Sequence, residues 1–115
     1  MEIHHQPKSP TFPPGTFIAE IDGSKAQTLR AFYPRIAKQL FFPDYFGKNL
    51  DALADCLCSL EVTGSAQVVV LIHHFDLFLS KEKPERRNAA LAVLTDAENE
   101  DHRLDGITFN VVGVI

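Results

Sequence analysis

QVVVLIHHF, residues 67–75, decides the fold. From Val68 to Ile72 the run is apolar and mostly β-branched, with no polar interruption. Strict alternation would mark a strand with one wet face. An unbroken apolar run marks a strand covered on both faces, as in the centre of a parallel sheet. Upstream, TFIAEID (16–22) reads as a second strand, with Phe17, Ala19 and Ile21 alternating against Ile18 and Glu20. Asp22-Gly23 supplies the turn that ends it. Downstream, Asp105-Gly106 is another turn, and ITFNVVGVI (107–115) reads as a third strand.

The segments between these strands have helical spacing. Leu29, Phe32, Tyr33, Ile36, Ala37 and Leu40 form one amphipathic stripe. Pro34 lies within it, and proline fits without loss only in a first turn. The spacing therefore predicts a helix from near Arg30 to Leu40. Leu50, Leu53, Ala54 and Leu57 predict a second helix over 49–60, with Asn49 as its N-cap. A short helical turn is expected at 76–80. Pro84 opens a third full helix, whose stripe is Ala90, Leu91, Leu94 and Ala97. Strands joined by helical crossovers predict an α/β domain over 16–115: a small three-stranded parallel sheet packed by three to four helices. Pro7, Pro10, Pro13, Pro14 and Gly15 predict a loose, flexible arm over 1–15, with Phe12 tucked onto the domain.

Composition narrows the function classes. The chain has 115 residues, 45% of them hydrophobic, and a net charge of −4. That balance offers no basic stripe for direct nucleic-acid binding. Asp96, Glu98, Glu100, Asp101 and Asp105, offset only by Arg103, read as a solvated acidic face. Cys56 and Cys58 are two apart, so on a helix they diverge and read as reduced thiols, which suits a cytoplasmic protein. The first ten residues lack the apolar core of a signal peptide, and no run approaches the ~18 residues of a membrane span. His73 and His74 adjoin on a strand and point to opposite faces, a poor chelating geometry, so no metal or cofactor is expected.

The chemistry concentrates in FPDYFGKNLDALADCL, residues 42–57. At about 100° per residue, Leu50, Leu53, Ala54 and Leu57 share one helix face, and Asp51 and Asp55 share another. Like charges four apart repel, so helix stability alone does not select them. Asp51 gains from the helix dipole in the first turn; Asp55 gains much less. Gly47 allows the backbone to bend or approach closely at the rim. Tyr45 and Phe46 add rigid aromatic area, and aromatics around fixed charge suit a protein-binding surface. Of the two rings, Phe46 is expected in the core because it lacks a polar tip. No nucleophile, glycine-rich phosphate loop or metal motif accompanies the two acids, so no catalytic residue is assigned and an enzyme is not expected.

This stretch resembles the motif of the barstar family, intracellular inhibitors of a bacterial ribonuclease. The matching residues run contiguously from Pro43 through Tyr45, Phe46, Gly47, Asn49, Asp51, Ala52 and Leu53 to Asp55. A weaker likeness extends over 16–115. The resemblance implies a barstar-like fold and a protein that inserts this helix and its loop into a nuclease active site. It implies a basic partner, a secreted ribonuclease or other nuclease toxin. The implied partner-binding residues are Tyr45, Phe46, Gly47, Asn49, Asp51, Ala54 and Asp55, with Asp96 as a second acidic site. Asp55 would occupy the place of the substrate phosphate. Three positions depart from the family pattern. Ala54 stands where a large aromatic is usual, Phe46 where a second tyrosine is usual, and Lys48 where an acid is usual. These departures keep open a second reading, an interaction module or an immunity protein for a different toxin.

Overall fold

A computed structural model describes residues 1–5, 10–103 and 105–115. The elements in chain order are β1 (Glu2–His4), β2 (Phe17–Asp22), α1 (Leu29–Gln39), α2 (Leu50–Leu57), β3 (Gln67–His73), α3 (Pro84–Ala97) and β4 (Thr108–Val114). The sheet order is β1-β4-β3-β2, and each neighbouring pair runs parallel. In register, Val70 stands beside Ala19 on one side and Val111 on the other. The α/β class and the parallel sheet agree with the sequence reading. The strand count does not, because the sheet has four strands where three were expected. The fourth is Glu2–His4, taken from the segment expected to be a loose arm. It pairs Glu2 with Val112 and His4 with Val114.

Strand β3 is buried on both faces, as its composition requires, but the two faces are covered differently. Val68, Val70 and Ile72 join Ala19, Ile21, Phe109 and Val111 beneath the helices, against Phe32, Ile36, Leu53, Leu57 and Leu94. Val69 and Leu71 form a smaller cluster with Val112, and the apolar side chains packed on it among the described residues, Phe12 and Val114, come from outside the helices. The proline-rich segment thus lays one aromatic ring over the face that the helices leave open.

Helix α1 begins at Leu29, with Thr28 as N-cap accepting from the Ala31 amide at 3.2 Å. Pro34 therefore lies in the second turn, deeper than the sequence rule allows. The amide it lacks would have bonded the Arg30 carbonyl, and Arg30 lies on the exposed side of the helix, where a lost ladder bond costs less than it would in the core. The Leu29 amide is met from outside the helix by Glu82 Oε2 at 2.7 Å. After β3, the turn expected at 76–80 buries Phe78 and Leu79, and the Leu79 amide bonds Ala26 O at 3.0 Å. Gly23 is required at this junction. A Cβ there would sit 2.4 Å from the His74 carbonyl oxygen and 2.6 Å from that of His73.

Helix α2 ends at Leu57, three residues short of the expected Leu60, and the cause lies far along the chain. Arg103 Nη1 takes the Leu57 carbonyl at 2.7 Å and the Ala97 carbonyl at 3.1 Å. Asp105 Oδ2 accepts the Leu60 amide at 3.1 Å, so Leu60 turns away from the helix ladder. Asp105 also holds Arg103 through Nε at 3.1 Å and Nη2 at 2.6 Å. Both side chains are only 1% exposed. This corrects the reading of Arg103 and Asp105 as part of a solvated face. They form an interior clasp that ties the C-terminal ends of α2 and α3 together.

Candidate protein-binding site

The loop between α1 and α2 is built around one buried ring. Phe46 is 8% exposed and meets Tyr33 edge-on at 5.9 Å and Phe42 at 5.1 Å. Its amide closes a turn onto Pro43 O at 2.9 Å. Its neighbour Tyr45 is 87% exposed. One aromatic pins the loop and the other projects from it. Phe46 therefore supports the surface from within, in the core position expected for a ring without a polar tip.

Asn49 locks the loop to the helix. Its Oδ1 accepts the Ala52 amide at 2.8 Å, the N-cap bond expected from sequence, and its Nδ2 donates to Gly47 O at 3.3 Å. Both ends of the amide are thus engaged within the loop. Gly47 is exposed, and a Cβ there would lie 3.1 Å from Asn49 Nδ2. Gly47 is not itself left-handed; the left-handed positions between α1 and α2 are Phe41, at φ 57°, and Lys48, at φ 51°. Leu53 and Leu57 are fully buried, Ala54 is half-buried, and Asp51 and Asp55 are exposed one turn apart. Burial of α2 by its leucines aims the two carboxylates at solvent.

Asp55 and Tyr45 share the rim of one recess of about 240 Å³, walled by Phe41, Phe42, Pro43 and Cys56. Its floor is mainly apolar and its edge carries the carboxylate. Burial first, and then the charge of Asp55, pushes the Cys56 thiol above its ordinary range, so it remains a thiol and a poor nucleophile. Asp96 is exposed on the last turn of α3, adjacent to the Ala97 carbonyl that Arg103 binds, and does not line this recess. Sequence reasoning missed Phe41 and Cys56 as walls of the recess. It also missed the Arg103–Asp105 clasp that fixes the end of α2. Two adjacent phenylalanines, Phe41 and Phe42, just before Pro43 were the available signal for the first; nothing local in the sequence marked the second.

These features define a class of protein that the sequence comparisons also identify. The pattern of the family described as Barstar (barnase inhibitor) matches residues 16–113. The chain belongs to the barstar family. A stretch of 37 residues is 46% identical to "Putative ribonuclease inhibitor YrdF" of Bacillus subtilis (strain 168), covering 32% of this chain and 41% of YrdF. Among the described residues, no group of three or more His, Cys, Asp or Glu is placed to hold a metal ion. Among the described residues, no helix is long and apolar enough to cross a membrane.

Proposed function

We propose that this protein is an intracellular inhibitor of a ribonuclease, which it blocks by covering the active site with α2 and the loop before it. The observation that carries the reading is the shared rim: an exposed Asp55 carboxylate and an exposed Tyr45 ring flank one mainly apolar recess. A ribonuclease binds an anionic phosphate with cationic side chains. A carboxylate held on a rigid helix accepts charge-assisted hydrogen bonds from the same side chains without presenting a cleavable bond. Asp51 extends the negative field along the helix and hastens encounter with a basic surface. Tyr45 packs on the rim of the nuclease cleft, Asn49 and Gly47 keep the loop in shape, and Asp96 approaches from α3 as a second acidic contact. Ala54 leaves open the space that a large aromatic would fill. The family description as barnase inhibitor supports the partner class.

The test is titration calorimetry for affinity, with stopped-flow mixing for the association rate, of the full chain against barnase at two salt concentrations. Barnase and its inhibitor are themselves the standard measured pair for steered, hot-spot binding, so the expectation here is a ranking only. Asp55→Ala should weaken binding more than any other single substitution on α2, and the on-rate should fall steeply with salt. Equal affinity of Asp55→Ala and the unaltered chain would refute the role given to Asp55.

A further inference from the structure

A second cleft, of about 420 Å³, is lined by Arg30, Tyr33, Lys48, Glu82 and Arg86, none of which lines the recess. Three cations from three separate elements converge there: Arg30 from α1, Lys48 from the loop and Arg86 from α3. The single carboxylate is already engaged. Glu82 Oε2 accepts the Leu29 amide at 2.7 Å, and Oε1 lies 3.8 Å from Arg86 Nε. Arg30 and Lys48 make no ion pair among the described residues, and both are exposed. A smaller cleft of about 300 Å³, lined by Tyr33, Lys48, Asn49, Asp51 and Arg86, joins this basic ground to the acidic helix. The surface therefore runs from Asp55 through Asp51 into a net-positive hollow.

We infer that the hollow bounded by Arg30, Lys48 and Arg86 receives an acidic side chain of the inhibited nuclease and so selects among nucleases. The inference rests on the inhibitor reading above and adds to it a charge pattern that the partner must match. Two observations favour a protein carboxylate over a nucleic acid. The chain carries a net charge of −4, and Asp51 lines the smaller cleft that adjoins the hollow, so a polyanion running along this surface would be repelled on both counts. A single carboxylate on a mainly cationic protein surface meets attraction from both sides. A partner built this way places an Asp or Glu at the rim of its cationic active site, one loop-width from the pocket that takes Asp55. Nucleases with a basic residue at that rim position would meet Lys48 and be rejected.

The experiment uses barnase as the probe, with a panel of variants each carrying one active-site-rim residue changed to Glu. Each is titrated against the full chain and against Lys48→Glu and Arg30→Glu, both at exposed positions, with thermal melts confirming that the variants fold. At least one barnase variant should bind the unaltered chain about tenfold more tightly than it binds Lys48→Glu, the difference expected for one charge-assisted contact. Arg30→Glu should reproduce that loss, while Asp55→Ala should weaken every member of the panel by a similar factor. If the unaltered chain binds barnase but no variant distinguishes it from Lys48→Glu, the hollow is not a carboxylate site and the inhibitor reading stands alone. If the unaltered chain binds neither barnase nor any variant, the inhibitor reading fails and the inference fails with it. Binding of a single-stranded oligonucleotide that Lys48→Glu abolishes would also overturn the inference.

Discussion

Asp105→Ala removes four hydrogen bonds at once: those from Arg103 Nε and Nη2, and those from the Leu60 and Ile107 amides. It also leaves the Arg103 guanidinium, 1% exposed, without its counter-charge. Stranding one partner of a buried ion pair costs about 3–5 kcal/mol. Arg103 keeps the Leu57 and Ala97 carbonyls, which favours the lower part of that range, while two orphaned amides push it back up by about 1 kcal/mol or more each. A net loss of about 4 kcal/mol is expected, against a total stability of roughly 5–15 kcal/mol for a domain of this kind. The midpoint of thermal unfolding should fall by roughly 15 °C. Urea unfolding followed by far-ultraviolet circular dichroism measures the change. Arg103→Met combined with Asp105→Ala removes the stranded charge. The double variant should therefore be more stable than the two single losses predict, by about 1 kcal/mol or more. A loss under about 1 kcal/mol in Asp105→Ala, or simple additivity in the double variant, would refute the clasp.

Acid tests the same group. Burial works to raise the Asp105 carboxyl, but the Arg103 hydrogen bond, the Ile107 and Leu60 amides and the Arg103 charge outweigh it and hold it below its usual range. The folded protein thus binds this proton more weakly than the unfolded chain does. Its stabilisation is complete above the unfolded value of about 3.9 and disappears as pH falls through the lower folded value. Stability of the unaltered chain should therefore drop more steeply in acid than that of Asp105→Asn.

Two further substitutions probe the loop and the sheet. Asn49→Ala should cost about 1 kcal/mol from the lost N-cap, and should weaken nuclease binding further by freeing Gly47; Asn49→Asp, which keeps the capping oxygen, should cost less, and equal melting of all three proteins would count against the cap. Gly23→Ala should destabilise by about 2 kcal/mol or more, because the new Cβ meets the His73 and His74 carbonyl oxygens and backbone cannot swing aside as a side chain can; an unchanged melting temperature would show that the β2–β3 junction has slack.

Most of the fold was legible because its signals are local. The apolar run of β3, the Asn49 cap and Pro84 at the start of α3 each decide structure from a few neighbouring residues. The candidate site was legible for the same reason, since α2 buries Leu53 and Leu57 and so must turn Asp51 and Asp55 outward. What sequence could not supply was long-range. Glu2–His4 is three residues with no period of its own, and becomes a strand only because β4 offers an edge. Arg103 and Asp105 sit among surface acids and carry no mark of burial, yet their partners, Leu57 and Leu60, lie more than forty residues earlier. Pro34 sits deeper in α1 than the rule for interior proline allows, at a point where the residue one turn back, Arg30, is exposed.

The order β1-β4-β3-β2 has a bearing on how the protein is made. On the ribosome, β4 is the last of the four strands to emerge, yet its place lies between two that came before. Until it arrives, β3 can pair only with β2, and its other edge stays open along an almost wholly aliphatic row. Such an edge is a template for pairing with other chains. The nascent chain thus passes through an interval in which it is most prone to aggregate, and slow translation of its last stretch would lengthen that interval.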